Sequence, residues 1–84
     1  MHPSPRLRFS ANLRKARWAA GITQQELGDR CGLHRTEVSL LERGLREPRL
    51  GTIVKLSGAL SISPERLAAG MAWNVDAQRF EFKP

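Results

Sequence analysis

Apolar side chains recur at helical spacing along most of the chain, and glycines or prolines interrupt the pattern. Behind Ser4-Pro5, an N-cap followed by a first-turn proline, the residues Phe9, Leu13, Ala16 and Ala20 fall three and four apart as far as Gly21. This predicts a first helix from about Pro5 to Ala20. Thr23-Gln24-Gln25-Glu26 carries a hydroxyl and a carboxylate at capping-box spacing. Leu27 and Cys31 continue its apolar stripe to Gly32, so a short second helix is expected. A third starts near His34, carries Val38 and Leu41 and stops at Gly44, with Pro48 close behind. Leu50, Ile53, Leu56 and Leu60 mark a fourth helix, and Ser63-Pro64-Glu65 opens a short fifth that ends near Gly70. The expected body is an all-α bundle of five helices over residues 1–70.

Residues 71–84 change period. Trp73 and Val75 alternate with polar neighbours, as do Phe80 and Phe82, with Asp76-Ala77-Gln78 between them. Alternation of this kind predicts a short β-hairpin-like tail. Two strands alone are marginal in water, so these aromatic side chains are expected to pack on the helical body or on a second copy of the chain.

Charge and size narrow the function. Fourteen Lys and Arg against eight Asp and Glu give a net charge of +6 over 84 residues. A chain of this length supports one modest core and neither a second domain nor a deep substrate cavity. The charge is uneven: residues 1–49 hold ten cations and five acids, whereas residues 50–84 hold four and three. Eleven of the fourteen cations are Arg, whose planar fork suits phosphates and guanine edges. The longest uncharged runs, Leu56 to Pro64 and Leu67 to Val75, are 9 residues each, against about 20 for a membrane span. The N-terminal residues have no apolar run after their charges, and the single Cys31 can form no internal disulfide. A cytoplasmic protein is expected.

The informative stretch is Gln24 to Arg43: a short helix, a glycine just before the next one, and a second helix with a polar face of its own. This is the layout of a helix-turn-helix. With about 100° per residue and Val38 as origin, His34, Leu41 and Glu42 lie within about 60° of it and are expected to face the core. Arg43, Thr36 and Leu40 fall opposite, with Ser39 and Arg35 on one shoulder. Such a face suits the major groove, where Arg bonds guanine bidentately, Thr and Ser reach base edges, and Leu touches a thymine methyl. Glu42 on the core side of the third helix and Arg17 on that of the first would each be an unpaired buried charge alone, so a structural ion pair is expected. Arg43, Arg46 and Arg49 lead into a proline-containing loop, where cations grip phosphate. Gln24, in the first turn of its helix, is placed to meet a phosphate oxygen.

Taken together, Arg17, Gly21-Ile22-Thr23-Gln24, Gly32-Leu33, Val38 to Gly44, Pro48 and Leu56 to Leu60 resemble the lambda-repressor-like (XRE/Cro) DNA-binding family over roughly residues 7–70. The resemblance implies a transcriptional regulator, a repressor by preference, that binds double-stranded DNA as a homodimer on a pseudo-palindromic operator. By motif position it makes Arg35, Thr36, Ser39 and Leu40 the base-facing set, and Gln24, Arg43, Arg46 and Arg49 the phosphate-facing set. The sequence departs from the family pattern at His34, an N-cap position where Ser or Thr is usual, and at Gly28, where Ala is usual. Both departures are expected to cost stability, as are Gly51 and Gly58 in the fourth helix.

The remaining candidates have plainer readings. His34 is a cap or local contact rather than a ligand. Glu37 has two open readings, acceptor of a cytosine amine or partner of His34 in a capping box. Cys31 reads as a small buried hydrophobe rather than an oxidant sensor. Trp18, Trp73, Phe80 and Phe82 are distant in sequence from the basic helix, so packing is favoured over base stacking. Trp73, Val75, Phe80 and Phe82 are accordingly assigned to dimer or tail packing. The tail also motivates an alternative: an antitoxin or adaptor module that binds a protein partner through residues 71–84. No nucleophile with a partner base, Gly-rich phosphate loop or metal-ligand cluster is present, so neither an enzyme nor a cofactor or metal site is expected.

Overall fold

The computed structural model describes residues 4–84; the reading of the extreme N terminus, residues 1–3, lies outside them. Four α-helices come first: α1 (Pro5–Ala20), α2 (Gln24–Cys31), α3 (Arg35–Glu42) and α4 (Leu50–Ala59). Local chemistry sets their ends. The Ser4 hydroxyl accepts from the Leu7 N–H at 3.2 Å and Pro5 occupies the first turn of α1, while Gly21 closes that helix in the left-handed region at φ 69°. The capping box of α2 is complete: the Glu26 N–H donates to the Thr23 hydroxyl at 3.0 Å, and the Thr23 N–H to Glu26 Oε1 at 3.1 Å. His34 caps α3, its Nδ1 accepting from the Thr36 N–H at 3.0 Å. This capping role turns His34 out to solvent, away from the core side expected of it.

The expected fifth helix is not an α-helix. Pro64–Ala68 form a 3-10 helix, with Arg66 N–H donating to Ser63 and Ala69 N–H to Arg66. The segment is confined between Pro64 and Gly70, too short to gain from the longer-range α pattern. It still serves the core, because Leu67 is fully buried.

The tail is an antiparallel hairpin of β1 (Met71–Asn74) and β2 (Arg79–Phe82), pairing Met71 with Phe82 and Trp73 with Phe80. The strands begin earlier than the alternation implied. Asn74 Oδ1 accepts from the Ala77 N–H at 2.8 Å and starts the turn there, so Val75 leaves the strand and stands 70% exposed in the loop. It therefore adds little to packing within one chain. Near its base the hairpin is fastened to α1. Arg8 Nη1 donates to the Lys83 carbonyl, its guanidinium lies 5.5 Å from the centre of the Phe82 ring, and the Asn12 amide donates to the carbonyls of Leu67 and Ala69 at 3.0 Å each.

The core gathers Phe9, Leu13, Ile22, Leu27, Cys31, Val38, Leu41, Leu56, Leu60 and Leu67 from every helical segment. Of the expected stripes, Ala16 and Ile53 pack half-buried against it, whereas Ala20 is exposed, and so is Leu50, at 77%, because each of these two sits at the end of its helix beyond the last covering turn. Among the described residues no helix is long and apolar enough to cross a membrane.

Candidate nucleic-acid interface

The placement of α3 depends on how closely it approaches α2. Gly28 lies where the carbonyl oxygen of Leu33 would be 2.5 Å from any added Cβ, and the Leu33 N–H donates to the Gly28 carbonyl at 2.8 Å. As the inter-helix turn is folded here, it leaves no room for a Cβ at this position. Gly28 is thus required by the turn, a role that the helix-propensity argument missed.

From this platform α3 buries Val38, Leu41 and Glu42 and leaves Arg35, Thr36 and Arg43 exposed, with Ser39 and Leu40 half-buried at the edge. None of these five outward residues is buried. The acidic residue that ends α3 is withdrawn: Glu42 is 2% exposed, and Arg17 meets it with Nε at 2.5 Å from Oε2 and Nη2 at 2.9 Å from Oε1. Arg17 Nη1 donates onward to the Ile22 carbonyl at 2.9 Å, and Arg14 donates to the backbone carbonyl of Glu42. The Glu42 carboxylate raises the pKa of the Arg17 guanidinium above its ordinary value, holding it charged. Among the described residues no buried side-chain nitrogen or oxygen lacks a partner, so the network is complete.

The expected phosphate-facing residues divide. Arg43 and Arg49 are exposed, in the segment that leaves α3 and enters α4. The amide of Gln24 donates to Glu42 Oε1 at 3.2 Å, which joins its side chain to the buried network. Its backbone still opens α2. Arg46 is engaged as well: Nη1 donates to both carboxylate oxygens of Glu37, at 2.9 and 2.7 Å. Sequence reading missed this pair, because a nine-residue separation across a loop has no helical period to reveal it. Glu37 is thus not the capping-box partner of His34, because both of its oxygens receive Arg46 instead.

Cys31 is buried; its thiol donates to the Lys55 carbonyl at 3.6 Å, and burial pushes its pKa up. Of the aromatic residues, Trp73 and Phe80 meet edge to face at 5.0 Å between ring centres and remain about half exposed at 50% and 51%.

Short helices joined by a glycine turn, a buried Arg–Glu pair behind them and a cationic outer face define a helix-turn-helix DNA-binding domain. The chain matches the helix-turn-helix family over residues 13–67 and belongs to it, within its lambda-repressor-like (XRE/Cro) group. It is 40% identical over 63 residues to the control protein C.BamHI of Bacillus amyloliquefaciens, covering 74% of this chain and 78% of that protein. Its structure is similar to that of the restriction-modification controller protein C.AhdI from Aeromonas hydrophila, with 41% identity, a TM-score of 0.71, and 73% and 88% of the two chains covered. The P22 c2 repressor, crystallised with a synthetic operator, is 32% identical with a TM-score of 0.68, over 74% of this chain and 94% of that one. Other curated relatives are longer: the chain spans 53% and 57% of two Bacillus subtilis regulators that it matches.

Proposed function

We propose that this protein is a sequence-specific transcriptional regulator of the cytoplasm, a repressor, without catalytic activity of its own. It seats α3 in the major groove of double-stranded DNA. Arg35, Thr36, Ser39 and Leu40 face base edges, and Arg43 and Arg49 grip the flanking phosphates, with Arg46 beside them. The observation that carries this reading is the sorting of charge on α3: its last acid is folded inward onto Arg17 while Arg35 and Arg43 stay at the surface. A protein that only needed a basic surface would have no reason for that sorting.

Residues 1–70 form the DNA-binding domain in this reading, and residues 71–84 supply a homodimer contact through Trp73, Phe80 and Phe82. Two half-exposed aromatic rings held in fixed geometry on a hairpin that is fastened to α1 are a poor surface to leave in water. A homodimer places two copies of α3 on a pseudo-palindromic site one helical turn apart. The antitoxin or adaptor alternative has less support, since the relatives are named as regulators and controller proteins.

Selection of bound duplexes from a random library at about 150 mM salt tests the reading, because phosphate attraction alone is weakened there. A symmetric motif with half-site centres about 10 bp apart is expected. Binding without enrichment that fades as salt rises would overturn it.

A further inference from the structure

Resting on the reading above, we propose that Glu37 is a positioning residue for operator recognition: it holds Arg46 in the orientation in which that side chain meets DNA. Glu37 lies in the first turn of α3, and Arg46 in the loop after Gly44. An acid in the first turn is favoured by the helix dipole. The dipole, however, gives no reason for an arginine nine residues onward to close over that acid with two contacts under 3 Å. Of the two acids in α3, Glu42 is buried with Arg17, so Glu37 is the one that leaves negative charge beside the DNA-facing surface. An unneutralised carboxylate there would repel phosphate. Placed against Arg46, it becomes a bracket.

The donor inventory of arginine makes the bracket useful. Both contacts to Glu37 use Nη1, and among the described residues Nε and Nη2 of Arg46 have no partner. The carboxylate therefore anchors the Nη1 end of the guanidinium while leaving Nε and Nη2 free to donate. A free arginine at this position would have to give up its rotamer freedom on binding; a bracketed one has given up part of it beforehand. The gain belongs only to a complex in which α3 is fully seated, because a loosely held, non-specific duplex does not present a phosphate at one fixed place. Glu37 therefore raises the operator affinity and not the general one.

The test uses the full chain and four proteins: wild type, Glu37→Ala, Arg46→Ala and the double variant. Dissociation constants are measured at one salt concentration on the selected operator and on a scrambled duplex of the same length. Glu37→Ala is expected to weaken operator binding by about 3–10-fold, while binding to the scrambled duplex holds or tightens because a negative charge has gone. In the Arg46→Ala background the same substitution is expected to cost nothing further on the operator. Affinity rising equally on both duplexes would make Glu37 a mere source of repulsion and overturn the proposal. An equal fall on both would mark it as structural and overturn it too, and Glu37→Gln, which keeps the side-chain volume, repeats the comparison if the alanine variant loses its fold. A wild type that does not prefer the operator refutes the underlying function, whereas a wild type with preference whose ratio survives Glu37→Ala refutes only the bracket.

Discussion

Gln24 and Glu42, the first residue of α2 and the last of α3, are joined by a hydrogen bond of 3.2 Å from the glutamine amide to Oε1. With Arg17 on both oxygens, this closes the helix-turn-helix from its two outer ends and ties it to α1. One carboxylate thus adds to the turn and the core in holding α2 against α3. Glu42→Ala would leave Arg17 charged and nearly buried with nothing opposite, and is expected to cost about 3–5 kcal/mol in urea unfolding. Gln24→Ala loses one bond to a charged group, about 1–2 kcal/mol. Replacing both members of the pair, Arg17→Met with Glu42→Leu, is expected to cost less than Glu42→Ala alone.

Gly28 and Gly58 make opposite predictions for the same substitution. At Gly28 a Cβ would run into the Leu33 carbonyl, so Gly28→Ala is expected to destabilise by about 1–3 kcal/mol despite the better helix propensity of alanine. At Gly58, inside α4, nothing lies within 4 Å of the added carbon, and Gly58→Ala is expected to stabilise by about 0.5–1 kcal/mol. Thermal unfolding of the two variants side by side checks both signs.

In the proposed function, Arg35 and Arg49 separate base reading from backbone attraction. Arg35→Ala is expected to cost about 1–3 kcal/mol and to relax preference at one base position. Arg49→Ala is expected to weaken binding to all duplexes alike and to lower the salt slope by about one. Titrations on a panel of single-base operator variants at two salt concentrations show the difference; identical losses across the panel for both would reject the assignment.

The capping box gives a pH dependence. Hydrogen bonds from the Thr23 N–H, and then from its side chain, hold the Glu26 carboxyl below the usual glutamate range. A carboxyl with a lowered folded pKa contributes stability that is present above its unfolded value and lost as pH falls through the folded one. The stability difference between wild type and Glu26→Gln is therefore expected to be largest near neutrality and to shrink as pH drops from about 5 to about 3. Urea midpoints at a series of pH values measure it.

How much of this was readable beforehand follows from the range of each interaction. The bounds of α1 and α2 depend on caps and glycines within a few residues, and Ser4, Thr23, Gly21 and Gly32 announce them directly. The Arg17–Glu42 pair is legible because helical angles put both charges on core sides of their helices. The Glu37–Arg46 pair is not, since a loop erases angular information between its members. Nor is the demand for Gly28, which comes from a carbonyl whose position only the folded turn defines. In the tail, hydropathy alone suggested Val75 as a strand residue, while the Asn74 side chain decided where the turn began.

The link from Arg8 to the Lys83 carbonyl spans a sequence separation of 75 residues. During synthesis, Arg8 emerges among the first residues of this domain and waits for a partner made near its end. The helical body, whose contacts join nearer segments, can assemble in the meantime. Docking the hairpin on α1 is then the closing event of folding. Until it happens, the Arg8 side chain of α1 lacks its partner at the Lys83 carbonyl.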